Sequence, residues 1–206
     1  MFEDDFNGTT LDTGSWTRYN AAGNGGHGLR RPQAISLDGA GNLVVTAQMN
    51  GGQIVSGGMA LLRDYTYGRY EFRVRTEPDP TGTMNGVVLT WPTSGNWPTD
   101  GENDMYETGN AVNSRNPFHT YIHYDATNKQ HYFDHDVDGA QWHTIAMDWT
   151  DTAIRIYRDG ALVWTDTDPA SISHAVHHLC IQLDAMATRT LTQPVHMYVD
   201  YVRIYQ

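Results

Sequence analysis

Three carboxylates within six residues are the side chains of this chain best suited to chemistry. Glu102, Asp104 and Glu107 follow shortly after Trp97-Pro98, and like charges this close repel each other. Cleavage of a glycosidic bond uses such a pair, because one carboxylate attacks or stabilises while a carboxylic acid protonates the leaving oxygen. For the bare spacing, a solvated acidic loop or a calcium site is the alternative.

Strand periodicity predicts where these acids point. Side chains alternate between the faces of a strand, so Glu102 and Asp104 share a face and Glu107 has the opposite parity. One bulge residue between Asp104 and Glu107 restores a common face. The two glutamate side chains then lean over Asp104 towards a carboxyl gap of about 5–5.5 Å, the retaining geometry. Asp104 between them would hold a proton or a hydrogen bond.

Aromatic residues lie near the acids in the sequence: Trp91, Trp97 and Tyr106. The apolar faces of sugar rings stack on flat side chains, so we predict that all three contact a saccharide. Core packing is the alternative for the two tryptophans.

The segment Phe118–Tyr124 is predicted to pair with the acidic strand, because it follows after a short connection. His119, Tyr121 and His123 share one face of this segment. We predict substrate contacts for Tyr121 and His123. His123 is suited to hydrogen-bond an acid or a sugar hydroxyl, and a purely structural role for it stays open.

Composition excludes several partners. The 206-residue chain has a net charge of −11, so nucleic acid and anionic membrane surfaces are poor partners. No apolar run reaches the roughly 18 residues of a membrane span. The single cysteine, Cys180, lies between apolar neighbours and is predicted to be a small buried hydrophobe.

Short strand patterns bounded by turn residues recur along the chain, and long helices, repeats and linkers are not indicated. We predict an all-β fold, an antiparallel β-sandwich (jelly roll) with a concave substrate cleft, as a single domain over residues 1–206. A single helical turn is predicted at 169–173. The predicted strands are 42–48, 67–76, 86–91, 102–108, 118–124, 131–135, 142–149, 153–158, 161–165, 177–183 and 196–205.

Other motifs favour no different chemistry. The Gly-rich segment 23–28 lacks a phosphate-loop lysine and is predicted to be a surface loop at the rim of the cleft. His177 and His178 point to opposite faces of a strand, so they cannot share one zinc ion. A G-x-S-x-G motif is absent, which gives no support to a serine hydrolase.

The chain resembles glycoside hydrolase family 16, the jelly-roll endo-β-glucanases and galactanases. The segment 97–107 is similar to the catalytic signature of that family in its bulged E-x-D-x-x-E form. Similar blocks recur nearly end to end, at 2–8, 41–47, 67–71, 142–160 and 199–205.

The resemblance implies a role for each acid. Glu102 would be the nucleophile that forms a glycosyl-enzyme ester, Asp104 would assist it, and Glu107 would be the acid in the first step and the base in the second. No catalytic cofactor is implied. A structural Ca²⁺ is implied at Asp5, the Gly41 carbonyl and Asp200.

Three positions depart from the family pattern. Asn103 stands where an apolar residue is usual, and by alternation it faces inward and needs a hydrogen-bond partner. Gly58 stands where many β-1,3-glucanases have an arginine. The segment 87–91 replaces a widespread Phe-Trp-Met sequence.

The resemblance implies a retaining endo-hydrolase of β-glucan, and we expect a β-1,3-linked, laminarin-type polysaccharide. A galactan hydrolase of the agarase or carrageenase kind, a transglycosylase and a non-catalytic carbohydrate-binding module are the alternatives. We expect a monomer. The chain opens on Met1-Phe2-Glu3 without a signal peptide, and we expect a secreted or extracellular protein whose signal peptide is missing from this sequence.

Overall fold

The computed structural model describes residues 1–109 and 114–206. Strands dominate these ranges, because short segments of alternating apolar and polar residues are interrupted by turns. In chain order they are β1 (Phe2–Asp4), β2 (Trp16–Arg18), β3 (Ala21–Ala22), β4 (Leu29–Arg30), β5 (Ile35–Leu37), β6 (Leu43–Asn50), β7 (Gln53–Ser56), β8 (Gly58–Tyr65), β9 (Gly68–Thr76), β10 (Met84–Pro92), β11 (Glu102–Glu107), β12 (Phe118–Tyr124), β13 (Lys129–His135), β14 (His143–Trp149), β15 (Ile154–Arg158), β16 (Ala161–Asp166), β17 (His177–Ala185) and β18 (Val195–Tyr205).

Two antiparallel-rich sheets form a jelly-roll sandwich, as predicted. The larger sheet has the order β16-β15-β14-β9-β18-β6-β7-β4-β3, with β1 on β18 and β5 on β6. The smaller sheet has the order β13-β12-β11-β10-β17-β8-β2. The acidic strand β11 therefore lies inside the smaller sheet, between β10 and β12.

The core lies between the two sheets, where the inward face of each strand is apolar. In β9, Tyr70, Phe72 and Val74 are at most 1% exposed and alternate with partly exposed charged residues. Burying side chains of this size stabilises the fold by about 1.5–3 kcal/mol each. The described residues contain no helix long and apolar enough to cross a membrane.

The central strand β10 is buried on both faces, which gives the smaller sheet a second apolar layer. Val88 points into the main core, whereas Val87 and Leu89 pack with Ala60 and Cys180 on the opposite face. Cys180 is buried, as predicted. This second layer is the floor on which the candidate site is built.

Most predicted strands are present with bounds shifted by a few residues, and Phe118–Tyr124 has the predicted bounds. The helical turn predicted at 169–173 is wrong. Ser171 N–H donates to Asp168 O at 3.0 Å in a simple turn. Ser171 Oγ also donates to Asp166 Oδ2 at 2.6 Å, which ties this turn to β16 rather than to a helix.

Candidate active site

All three carboxylates lie on the cleft face of β11. Asp104 is opposite Tyr121 and Glu107 is opposite His119, so three steps along β11 face two steps along β12. The register with β10 shifts at the same place and leaves Met105 as the extra residue. The predicted bulge is confirmed, and it restores Glu107 to the face of Asp104.

The cleft over this face has a volume of about 1070 Å³. Strands β10, β11, β12 and β17 supply its floor, and segments before β5 supply one wall. Its lining includes Tyr19, Gly23, Asn24, Gly25, Arg30, Val87, Leu89, Trp91, Trp97, Glu102, Asp104, Glu107, His119, Tyr121, His123, Gln130, His178, Cys180, Gln182, Asp184 and Met186. The Gly-rich loop therefore lies at the rim, as predicted.

Glu102 is 8% exposed and accepts a hydrogen bond on Oε2 from the Trp97 indole N–H. Burial, followed by the charge of Asp104, raises the pKa of Glu102, while nearby His123 and the indole donor oppose this. The indole donor favours the ionised form that a nucleophile needs.

Asp104 is 4% exposed and lies beside Glu102. His123 Nε2 is 3.1 Å from Asp104 Oδ2, and Asn128 Oδ1 is 2.8 Å from His123 Nδ1. Burial and then the charge of Glu107 raise the pKa of Asp104. Because neighbouring buried carboxylates do not both ionise easily, the charge of Asp104 disfavours the ionised form of Glu102.

Glu107 accepts a hydrogen bond on Oε1 from Asn85 Nδ2 at 2.6 Å. Burial raises the pKa of Glu107, and the Asn85 donor opposes this rise. Sequence reasoning missed Asn85. Asn85 lies one residue before the predicted strand 86–91, so alternation along that strand did not include it, although Asn85 shares the parity of Trp91.

The two predicted tryptophans line the cleft. Their rings stack with centroids 6.1 Å apart and an interplanar angle of 9°. Trp97 is 40% exposed, so an aromatic face is open to a ligand. Of the two alternatives from the sequence, the structure supports a place in the cleft over one in the core.

Aromatic rings continue from Trp97 across the sheet. Its ring centroid is 6.0 Å from that of His123, which is 6.1 Å from that of Tyr121. The Tyr121 ring is in turn 5.9 Å from that of Tyr132 on the edge strand β13. The predicted face of β12 therefore forms one side of the cleft.

The prediction that Tyr106 contacts substrate is wrong. Tyr106 is fully buried in the main core, where its hydroxyl donates to Gly139 O at 2.9 Å. Met105 is buried there as well, because the bulge turns two consecutive side chains towards the core.

The opposite wall contains an ion pair that the sequence did not predict. Arg30 Nε and Nη2 donate to the two oxygens of Asp184 at 2.8 and 2.7 Å, and Arg30 lies 5.5 Å from the Tyr19 ring centroid. A Cβ on Gly58 would lie 2.5 Å from the Tyr19 ring. Tyr19 therefore occupies the space in which a side chain at position 58 would lie.

Two other expectations are met. His177 is buried and its Nδ1 lies 3.0 Å from Thr90 Oγ1, whereas His178 lines the cleft, so the two side chains point to opposite faces of the strand. Asn103 is 1% exposed and donates to Thr90 Oγ1 at 2.9 Å, which supplies the partner it needs.

One group in the described ranges has metal-ligand spacing: Glu102, Asp104 and His123, whose donor atoms lie within 4.8 Å of one another. Glu102 and Asp104 are the neighbouring carboxylates described above, and His123 is the ring whose Nε2 lies 3.1 Å from Asp104 Oδ2.

Of the predicted calcium ligands, Asp5 and Gly41 lie close together, and Asp200 is on β18. A Cβ on Gly41 would lie 3.9 Å from Asp5 O. Arg203 Nη2 donates to Asp5 Oδ1 at 3.1 Å and Arg73 Nη1 donates to Asp200 Oδ2 at 2.7 Å. The oxygen donors fit Ca²⁺ chemistry, but each carboxylate already has a cationic partner. The calcium site stays a prediction.

Solved structures of similar fold cover almost the whole chain. A family 16 glycoside hydrolase from Bacteroides ovatus in complex with a G4G4G3G product has a TM-score of 0.82 at 22% identity, over 98% of this chain and 99% of that one. The laminarinase catalytic domain from Thermotoga maritima has a TM-score of 0.83 at 17% identity, over 100% and 97%. A laminarinase from Flavobacterium sp. has a TM-score of 0.81 at 23% identity, over 100% and 99%.

Comparison with curated proteins finds no match. Residues 24–203 match the sequence family described as Glycosyl hydrolases family 16. That match covers most of the chain and includes the three carboxylates, the bulge and both tryptophans. The chain therefore belongs to glycosyl hydrolase family 16.

Proposed function

We propose that this protein is a retaining endo-glycoside hydrolase that cleaves β-glucan by double displacement. The observation that carries the proposal is the bulged strand β11, which presents Glu102 and Glu107 on one cleft face with Asp104 between them. The two glutamates accept hydrogen bonds from different donors, which suits them to different roles.

In the first step, Glu102 attacks the anomeric carbon from below the sugar ring. The Trp97 indole N–H orients its carboxylate, and a proton shared between Glu102 and Asp104 moves fully to Asp104 as Glu102 becomes an ester. Glu107 gives its proton to the leaving oxygen as that bond breaks.

In the second step, the same groups work in reverse. Glu107, now ionised, takes a proton from a water molecule that attacks the anomeric carbon. Glu102 leaves as a carboxylate and the product keeps its β-configuration. Asp104 returns the shared proton to the pair.

A neutral glucan fits the walls of the cleft. Trp91 and Trp97 present apolar faces, and Tyr121 continues them across the sheet. Arg30 is paired with Asp184, so this wall is not a net positive surface for sulfate groups. A β-1,3-linked chain, which is curved, is the substrate that we propose.

Similar structures are consistent with this choice. Proteins from Thermotoga maritima and Flavobacterium sp. are described as laminarinases, and the Bacteroides ovatus protein as part of a mixed-linkage glucan locus. An agarose or carrageenan hydrolase and a transglycosylase use the same carboxylates. The test below distinguishes these alternative activities from the proposed one.

The test combines a substrate panel with one substitution. Release of reducing ends should be fastest from laminarin, slower from lichenan and absent from carrageenan. Glu102→Gln keeps the shape of the side chain but removes the attacking charge, so activity should fall by at least about 10³. The matched control is Glu71→Gln on the outer face of the larger sheet.

Retention of most activity by Glu102→Gln would refute the mechanism. Faster cleavage of agarose or carrageenan than of laminarin would refute the substrate and leave the mechanism standing. Transfer of the glycosyl unit to an added sugar instead of water would reassign the enzyme as a transglycosylase.

We further propose a single catalytic domain over residues 1–206 that acts as a monomer outside the cell. The support is the match over residues 24–203 and a polymeric substrate that does not enter cells intact. Light scattering of the purified protein tests the monomer, and immunodetection in culture medium tests the location.

A further inference from the structure

The side-chain amide of Asn85 holds Glu107, and the hydroxyl of Thr108 in turn fixes the orientation of that amide. Asn85 Nδ2 donates to Glu107 Oε1 at 2.6 Å, and Thr108 Oγ1 donates to Asn85 Oδ1 at 3.3 Å. Gly86 N–H donates to Thr108 Oγ1 at 2.9 Å. We propose that Asn85 is a positioning residue that makes Oε2 of Glu107 the oxygen that gives and takes the catalytic proton. The proposal rests on the proposed function, in which Glu107 is the acid and base.

The direction of the amide follows from its neighbours. Thr108 Oγ1 already accepts from the backbone N–H of Gly86, so its own hydrogen points to an acceptor, and Asn85 Oδ1 at 3.3 Å is slightly nearer than the Gly109 carbonyl at 3.4 Å. The Nδ2 group then faces Glu107. Asn85 is 1% exposed and Thr108 is fully buried, so the arrangement is shielded from water.

A fixed donor on Oε1 decides where the proton of Glu107 sits. In the protonated acid, the oxygen that accepts a hydrogen bond is best left without the proton, because the carbonyl oxygen is the better acceptor. The proton is therefore on Oε2. In the ionised form the same donor stays on Oε1, so the group needs no rearrangement between the two steps.

Asn85 also acts against the effect of burial. Burial raises the pKa of Glu107, and the Asn85 N–H stabilises its carboxylate. The charged and titratable groups near Glu107 are Glu102 and Asp104 on its own strand, His119, Tyr121 and His123 on β12, and Asp184 on β17, whose partner Arg30 is on β4. Within the described ranges, none of these neighbours donates a hydrogen bond to Glu107, whereas Asn85 does.

The first test is the pH profile of kcat/KM. Loss of the donor in Asn85→Ala destabilises the carboxylate of Glu107, so the basic limb should move up by about one pH unit. Thr108→Val keeps Asn85 but removes the hydroxyl that orients its amide. The basic limb of the pH profile should then move up as well, but by less than in Asn85→Ala. Thr108→Ser restores the hydroxyl and should restore the wild-type limb.

The second test is the leaving group. Proton donation matters for a sugar leaving group and little for an activated phenolate, so Asn85→Ala should lose about tenfold or more on an oligosaccharide and much less on a dinitrophenyl glycoside. Equal losses on both substrates, or an unmoved basic limb in both Asn85→Ala and Thr108→Val, would overturn the proposal.

The proposed function is judged separately. Glu107→Gln should abolish hydrolysis of an unactivated oligosaccharide. If Glu107→Gln stays active, the assignment of the acid and base fails. If Glu107→Gln is inactive while the Asn85 and Thr108 variants behave like wild type, only the role of Asn85 fails.

Discussion

Glu102 and Glu107 are the same type of residue in the same cleft, but each accepts from a different donor. The Trp97 indole reaches Glu102 from a loop on the rim, whereas the Asn85 amide reaches Glu107 from the buried strand β10. Glu102 also lies beside Asp104, whose charge adds to burial in raising the pKa of Glu102. In the proposed mechanism, environment rather than residue type therefore separates the nucleophile from the acid.

Burial of these acids predicts a dependence of stability on pH. The pKa of Glu107 is raised by burial, so its contribution to stability is fully present below the unfolded pKa of about 4.3 and is lost as pH rises through the folded pKa. Glutamine does not ionise, so Glu107→Gln should not lose stability in this way as the pH rises. We expect its melting temperature to match wild type near pH 4 and to exceed it at pH 8.

The size of this gain follows from the shift. Each pKa unit corresponds to about 1.4 kcal/mol, or about 3–6 °C in a protein of this size. Glu3→Gln, at an exposed position, is the control and should show no such trend. A difference in melting temperature between Glu107→Gln and wild type that stays constant with pH would contradict this prediction.

At the scale of elements, parity identified which side chains share a face. It placed Glu102, Asp104 and Glu107 together through a bulge and put Tyr121 and His123 on the facing strand. Parity did not identify which of the two residues after Asp104 is the extra one, nor that both face the core. That depends on packing against β10 and is not encoded in alternation.

Sequence patterns could not predict the other contacts of the site. Asn85 meets Glu107 only because β10 and β11 pair in one particular register. Arg30 and Asp184 are 154 positions apart and meet across the cleft. The strand Gly58–Tyr65 was missed because it has a continuous buried run followed by exposed residues, rather than alternation.

The bulge itself can be tested by deletion. Removing Met105 should leave a regular strand in which Glu102, Asp104 and Glu107 still alternate onto the cleft face. The variant should lose stability, by about 2–5 kcal/mol for a buried methionine, but keep measurable activity. Removing Asn103 instead turns Asp104 towards the core, and activity should vanish.

The two deletions control for each other, because each shortens β11 by one residue. Folding of both is checked by circular dichroism before activity is compared. Greater activity in the Asn103 deletion than in the Met105 deletion would show that the register does not work as described.

At the scale of the whole molecule, β1 and β18 bring the two ends of the chain together, with Asp4 opposite Val202. A calcium ion between Asp5 and Asp200 would join these ends and stabilise only the folded state. Calcium at 100 times its dissociation constant should then raise the melting temperature by about 5–10 °C, and EDTA should reverse the rise.

The competing arginines provide the control for this prediction. Asp200→Asn should abolish the calcium response, whereas Arg73→Ala should strengthen it by removing a cation from Asp200. A melting temperature that responds to neither calcium nor EDTA would contradict the calcium prediction.

The central claim is that Glu102 forms a covalent glycosyl intermediate while Glu107 manages the proton, and the anomeric configuration of the first product tests it most directly. Time-resolved proton NMR of laminarin oligosaccharide cleavage separates the two anomers before mutarotation mixes them. Double displacement predicts that the β-anomer appears first and that the α-anomer follows slowly. Initial release of the α-anomer would contradict the account, because it would require direct attack by water across a wider gap.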